Sequence, residues 1–347
     1  MRIDIGALFT DPALMFYGFE GDHVRFVPMT RDSYARSIFF DQRIKPAEQR
    51  MIRVPLDLLL RHLAESGFKP PRLHFIHHMA QTGSTLLARA LDQGSRSLVI
   101  REPFHLRQVG ANAGAGFDPA FAPGDWRALL GLSLTMLGKR YNADAPVIVK
   151  GNVPISLIAD AIAEADPGQS AILLHFPLDH YCAAVLRTPD HQKWVESVTR
   201  EIRLGGDPNV GDIGGLGIAE KAAALWFSLV KRYEKLLATH PAMASLDANR
   251  LFDQPVDTIV FASDLMGVGL TSVEAEAVVT GPLFSSYAKN PDEPYEPATR
   301  IERRNETMSR LADDLLLARR WVEQRAAAVG LPTALDRPLI GAPSPLL

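Results

Sequence analysis

An α/β fold is predicted, with a parallel central sheet in a three-layer arrangement and a helical C-terminal half. Three observations predict it. From residue 72 onward, short apolar runs of strand length alternate with helical segments, the pattern of right-handed βαβ units. Such units lay helices over both faces of a parallel sheet. The second half carries long apolar stripes at helical spacing. Finally, 347 residues with 47% hydrophobic and 22% charged side chains is ordinary globular composition, incompatible with a disordered or fibrous chain.

In chain order, Phe16–Asp22 and His23–Val27 read as two short strands around a Gly-Asp turn, and Leu56–Glu65 as a helix. Lys69-Pro70-Pro71 stops that helix and marks a boundary. Residues 1–70 are therefore read as an N-terminal segment packed on a main domain of residues 71–347. In the main domain, strands are expected at Arg72–His78, Ser97–Arg101, Pro146–Lys150 and Ala171–Phe176. Helices are expected at Ser84–Asp92, Asp125–Tyr141 and Ile155–Ala165 between them. Ala222, Trp226, Leu229, Val230, Tyr233 and Leu237 fall on one face of a helix over Ile218–Ala238. Shorter helices follow at Val256–Leu265 and Glu274–Val279, and Glu302–Ala328 reads as one long terminal helix. The stretches Gly205–Gly217 and Lys289–Pro297 read as loops suited to covering a site.

The most informative segment runs from Phe75 to Arg89. A strand ending in His77-His78 gives way to a short polar loop, Met79-Ala80-Gln81-Thr82-Gly83, and Ser84 and Thr85 open a helix. That geometry gathers backbone N–H groups at one point, a natural seat for phosphate or sulfate. Gly83 permits close backbone approach, and Ser84 and Thr85 add hydroxyl donors. The plain alternative is a strand–turn–helix joint capped by Ser84. His77 and His78 are neighbours on a strand and point to opposite faces, so they do not chelate one metal together. The nucleotide-triphosphatase pattern G-x-x-x-x-G-K-[ST] is not met, because Ser84 follows Gly83 and His78 stands at the first glycine.

Thr82-Gly83-Ser84-Thr85-Leu86-Leu87 resembles the 5′-phosphosulfate loop of bacterial P-loop sulfotransferases, with Gln81 where the family usually has Lys or Arg. The resemblance extends over most of residues 72–325. Arg101-Glu102-Pro103-Phe104 resembles the family's "E-P" segment, and Val147–Lys150 its next strand. Leu173–Asp179 stands at its strand–R-x-P segment, and Ala224-Leu225-Trp226 with Tyr233 and Leu236-Leu237 at its central helix. Leu251–Pro255 and Leu265–Val268 resemble its "dP…fLG" region. The resemblance implies a P-loop three-layer sandwich. It also implies a transferase moving a sulfuryl group from 3′-phosphoadenosine 5′-phosphosulfate (PAPS, the co-substrate) to a hydroxyl or amine of a small-molecule acceptor. No metal is required for that reaction class.

By the same resemblance, Gln81, Thr82, Gly83, Ser84 and Thr85 would hold the 5′-phosphosulfate. The family's 3′-phosphate Arg and Ser are His175 and Ala183 here, so positive charge must come from elsewhere. Arg187, one turn beyond Ala183, is one source or else a solvated helix residue. Arg303 and Arg304, beside Arg300, either close over the nucleotide or form a charged helix start. Glu102 reads as the general base or as a turn cap before Pro103, and His105 as a second base or a surface-loop histidine. Lys150 either reaches phosphate oxygens or makes a surface salt bridge. Two rival readings stay open: a silent sulfotransferase-like binding protein, and a P-loop kinase or other nucleotide-binding protein.

The net charge of −3 gives no electrostatic case for a nucleic-acid binder. The single cysteine, Cys182, excludes an intrachain disulfide and fits a reducing compartment. No apolar run approaches a membrane span, and Met1–Met15 lacks a signal pattern, so a cytoplasmic protein without membrane partners is expected.

Overall fold

The computed structural model describes residues 4–68, 72–113, 125–287, 290–294 and 297–347. The first elements are α1 (Ile5–Thr10), β1 (Leu14–Glu20), β2 (His23–Pro28), α2 (Arg31–Arg36), β3 (Ile52–Pro55) and α3 (Leu56–Ser66). β1, β2 and β3 form an antiparallel sheet in that order. The predicted hairpin is present, with Gly21 at φ +57° in its turn. α3 ends on Gly67 in the left-handed conformation (φ 60°), a common helix stop. The predicted proline stop at 69–71 lies outside the described residues. α1, α2 and β3, too short for a periodic signal, were not anticipated from sequence.

The central sheet is built from β4 (Leu73–His78), β5 (Leu98–Arg101), β6 (Val147–Lys150), β7 (Ala171–His175) and β8 (Met243–Asp247). Its five strands run in the order β5–β6–β4–β7–β8, and the pairing is parallel. The predicted α/β class holds, and the four predicted strands form within a residue of their expected limits. β8 is the strand the sequence did not announce: Met-Ala-Ser-Leu-Asp has no β-branched or aromatic residue. It is paired residue for residue with β7, His175 opposite Asp247.

The helices are α4 (Ser84–Ala90), α5 (Phe104–Ala113), α6 (Trp126–Leu137), α7 (Ala159–Ala165), α8 (Leu178–Leu186), α9 (Pro189–Glu201), α10 (Ile218–Thr239), α11 (Ala248–Asp253), α12 (Pro255–Leu265) and α13 (Ser272–Thr280). A two-stranded ribbon, β9 (Ser286–Tyr287) and β10 (Asn290–Pro294), precedes α14 (Pro297–Arg310) and α15 (Ala312–Val329). The predicted Ile155–Ala165 helix opens instead as a 3₁₀ turn over Val153–Ile158 before α7. The predicted single terminal helix is two. Leu311 leaves helical geometry at φ −100°, ψ 17°, although bonds from Leu311 to Thr307 and from Leu315 to Leu311 carry the chain across the break.

The chain parts into two compact units. The first comprises Met1–Ile76, Ala88–Ser170 and Ser263–Gly269; the second comprises His77–Leu87, Ala171–Ala262 and Leu270–Leu347. In the first, Phe16 packs edge-on to Phe19 and beside Phe26, with ring centroids 5.0 and 5.6 Å away. In the second, α10 is buried along the predicted stripe, and Trp226 donates its indole N–H to the Phe176 carbonyl at 2.9 Å.

Gly205–Gly217, expected as a mobile cover, is tied down. Buried Asp207 accepts from the Asn209 N–H and from Arg232, and Arg325 donates to the Asn209 and Pro208 carbonyls. Of the other predicted cover, residues 289, 295 and 296 lie outside the described residues. Among the described residues, no helix is long and apolar enough to cross a membrane.

Candidate functional site

The loop between β4 and α4 belongs to the second unit. Its first turn is closed by two side chains: the Thr82 hydroxyl donates to the Met79 carbonyl at 2.7 Å, and His78 Nδ1 meets the same oxygen at 2.9 Å. Thr82 therefore shapes the loop with its hydroxyl. Gln81 and Gly83 both sit at positive φ, 63° and 74°, which turns the chain sharply into α4. Holding a non-glycine residue there costs on the order of 1 kcal/mol, a strain typical of ligand-binding loops. Ser84 and Thr85 are buried, and Thr85 Oγ1 has no hydrogen-bond partner among the described residues. A buried hydroxyl without a partner costs about 1–3 kcal/mol. An oxyanion would relieve it.

Gly83 has a second duty. A Cβ built there would stand 2.8 Å from the Phe252 ring and 3.2 Å from Leu251, both on α11. The glycine is thus required by packing as well as by φ, and a larger residue would damage the fold before it crowded an anion. The Arg300 guanidinium lies 3.9 Å from the centroid of the Phe252 ring and pairs with Asp253.

His77 and His78 are both buried. Burial pushes the His77 imidazole down to about 4, so it is neutral at physiological pH. His175, at the end of β7, is also buried; its Nδ1 is 3.4 Å from the Leu173 carbonyl, and burial lowers its pKa against the opposing pull of Asp247. It offers no permanent charge for a phosphate. Ala183 is buried on α8.

The three candidate arginines separate clearly. Arg187 caps the C-terminus of α8, is exposed, and accepts from Arg310 through its carbonyl. Arg303 is exposed on α14. Arg304 turns inward: Nη1 donates to Asn249 Oδ1 at 3.1 Å, while its buried Nε has no partner among the described residues. Asn249 in turn donates to Asp247 at 2.9 Å. His180 completes the cluster. Its pKa is lowered by burial and then by the Arg304 charge, and Nδ1 is a second buried atom without a partner. The second unit therefore holds an arginine nitrogen and a histidine nitrogen without partners among the described residues, in a cluster where His180 also bonds the Asn249 side chain. Sequence reasoning missed His180 and Asn249, because α8, α11 and α14 bring them together from distant segments.

Glu102 and Lys150 lie in the first unit, at the carboxyl ends of neighbouring strands where α/β sheets place ligands. Their side chains form an ion pair, with Lys150 1% and Glu102 17% exposed. The surface salt bridge considered for Lys150 is thus a buried one, made with Glu102 itself. Glu102 adopts φ 57°, and its N–H donates to the Lys150 carbonyl at 2.7 Å. Arg101 beside it is 1% exposed; it binds the Asp92 carboxylate and donates to the Tyr34 and Ser37 carbonyls at 2.6 Å.

His105 is not the second base considered above. It lies on α5, fully buried, stacked 4.4 Å from Phe16. Burial, aided by the Lys139 charge, drives its pKa down to about 3.

No family model and no curated protein matches the chain. Among solved structures, it is similar to a sulfotransferase domain from the curacin biosynthetic pathway, at 13% identity over 71% of this chain and 99% of that one, with a TM-score of 0.44. It is also similar to a sulfotransferase from Alicyclobacillus acidocaldarius, at 14% identity over 76% of this chain and 98% of that one, with a TM-score of 0.33.

Proposed function

We propose that the protein transfers a sulfuryl group from PAPS to a hydroxyl or amine acceptor. The observation that carries this reading is the Thr82–Thr85 loop: left-handed Gln81 and Gly83, backbone N–H groups entering α4, and a buried Thr85 hydroxyl without a protein partner. In the reaction the acceptor oxygen or nitrogen forms a bond to sulfur, and the bond from sulfur to the 5′-phosphate oxygen breaks. Adenosine 3′,5′-bisphosphate leaves. The acceptor proton goes to Glu102, which the Lys150 ammonium holds in place. Arg304, with His180 and Asn249, takes the second phosphate in place of the Arg and Ser that became His175 and Ala183.

Calorimetry with adenosine 3′,5′-bisphosphate, ATP and adenosine 5′-monophosphate tests the donor. Selective binding of the bisphosphate, followed by transfer to an acceptor, is expected. Equal or absent binding would refute it, and binding without turnover on any acceptor would favour the silent-binder reading, which buried His175 supports.

Two variants sharpen the test. Thr85→Val removes the hydroxyl and keeps the shape. It should leave the melting temperature unchanged or raised while weakening bisphosphate binding about tenfold, since a lost hydrogen bond to a charged group is worth ~1.5 kcal/mol. Parallel losses of stability and binding would show that the hydroxyl is structural. Arg304→Ala should weaken the bisphosphate by about 10- to 100-fold and the monophosphate far less, the scale of a lost charge-assisted contact. Equal loss for both nucleotides would remove Arg304 from the second phosphate.

A further inference from the structure

Two neighbouring strands of the second unit deliver their helices side by side. β7 and β8 run in parallel register with His175 opposite Asp247, and α8 follows β7 as α11 follows β8. The topology thus sets His180, in the first turn of α8, near Asn249, in the first turn of α11, at the carboxyl ends of the strands. His180 hydrogen-bonds the Asn249 side chain, and its ring also meets the Phe176 ring edge-on, with centroids 6.0 Å apart.

Asn249 is oriented by charge from both sides. Arg304 only donates, and it reaches Asn249 Oδ1 at 3.1 Å; the Asp247 carboxylate only accepts, and it takes the Asn249 amide at 2.9 Å. The helix that carries Arg304, α14, packs on α8. Around this fixed amide, Arg304 Nε and His180 Nδ1 are both buried without partners among the described residues. Each has lost its water without gaining a bond, and an oxyanion would supply the acceptor.

The charges that act on His180 are, in order, Arg304, Asp247 and Asp179. Asp179 is taken by Arg319 of α15 at 2.7 Å, and Asp247 also acts on His175. Titratable groups of α9 and α10 are engaged elsewhere: His191 meets Thr188 at 2.6 Å, and Tyr233 acts on Tyr181. Burial first, then the Arg304 charge, hold the His180 pKa below the ordinary histidine value, so the ring is neutral above pH 7. A terminal phosphate carries close to two negative charges there. Arg304 matches only one of them.

We infer that His180 is a phosphate ligand that takes up a proton from solvent as the phosphate binds, Nδ1 donating to it beside Arg304. The arriving dianion offsets the repulsion from Arg304 and stabilises the imidazolium, and by linkage the proton strengthens the phosphate in equal measure. The inference rests on Arg304 as the contact for the second phosphate of the proposed donor, but its test requires no turnover.

NMR of the His180 ring Cε1–H, assigned by comparison with His180→Gln, follows the titration of that ring in the full chain. Saturating adenosine 3′,5′-bisphosphate should raise its pKa by about 1–3 pH units, the effect of an opposite charge in contact. Adenosine 5′-monophosphate, which lacks the second phosphate, should leave it unmoved. The added affinity is fully present below the bound-state pKa and is lost as pH rises through it. Between about pH 6.5 and 8.5 calorimetry should therefore show the bisphosphate weakening about fivefold in the wild type, with proton uptake visible across buffers of different ionisation enthalpy. In His180→Gln the affinity should hold steady or strengthen as the phosphates finish ionising. A bound bisphosphate that leaves the His180 titration unmoved would overturn the inference. So would an equal shift with the monophosphate, a shift at His175 instead, or an unchanged pH profile in His180→Gln. Melting curves check that the variant folds, and the wild-type titration stands without it. Inorganic phosphate alone separates the two readings: bisphosphate that fails to bind refutes the donor, while a His180 shift with inorganic phosphate still upholds the ligand. No shift with either removes it.

Discussion

Glu102→Gln should lower turnover about 10²- to 10⁴-fold, the usual loss when a general base is removed. The substitution is nearly isosteric and the glutamine oxygen still accepts from the Lys150 ammonium, but Lys150, 1% exposed, loses its carboxylate, so the melting temperature should fall too and the kinetics are read where the variant is folded. What disappears is the capacity to take the acceptor proton. Affinity for adenosine 3′,5′-bisphosphate should stay within twofold or so of the wild type, because the nucleotide contacts proposed above lie on other residues. Steady-state kinetics with a competent acceptor, together with calorimetry on the same preparation, decides the matter. Unchanged turnover ends the assignment, and a matching loss of nucleotide affinity would make Glu102 a binding group instead.

The largest effect on stability is expected at Lys150. Lys150→Met takes the ion-pair partner away from the Glu102 carboxylate, 17% exposed, and leaves it the field of Arg43. Breaking a buried pair from one side costs about 3–5 kcal/mol, mostly from the stranded charge. Urea unfolding should show a loss of that size. The double variant Glu102→Gln, Lys150→Met should be more stable than Lys150→Met alone, since the carboxylate that lost its ammonium is gone as well. If single and double variants unfold at the same urea concentration, the pair does not contribute as described.

Much of this architecture could be read from residues alone, for physical reasons that vary by element. The strands β4, β6 and β7 are compact apolar runs, and α10 carries a continuous stripe from Ala222 to Leu237; both signals are local. β8 gave no such signal, because its pairing with β7 rather than its composition makes it a strand. α5 had no predicted counterpart: Gly110 and Asn112 depress helix propensity, and burial of His105, Leu106 and Val109 overrides that. The same burial removes His105 from the chemistry. The phosphate loop was legible because its residues are contiguous. The Arg304–Asn249–His180 cluster was not, because it depends on how three helices converge. Charge counting proposed three arginines, and only packing distinguishes Arg304 from exposed Arg187 and Arg303.

Gly18 has no Cβ, and one added there would lie 2.8 Å from the Phe104 ring and 3.0 Å from the Gln108 amide oxygen. The close approach lets Gln108 on α5 accept from the Phe19 N–H at 2.9 Å and donate to the Phe19 carbonyl at 3.1 Å. A single side-chain amide thereby imitates a neighbouring strand on the side where, among the described residues, β1 has none. Open strand borders are templates on which foreign chains, or other copies of the same chain, add and grow into aggregates. By occupying both backbone groups of Phe19, next to the end of β1, Gln108 denies an incoming strand its register there.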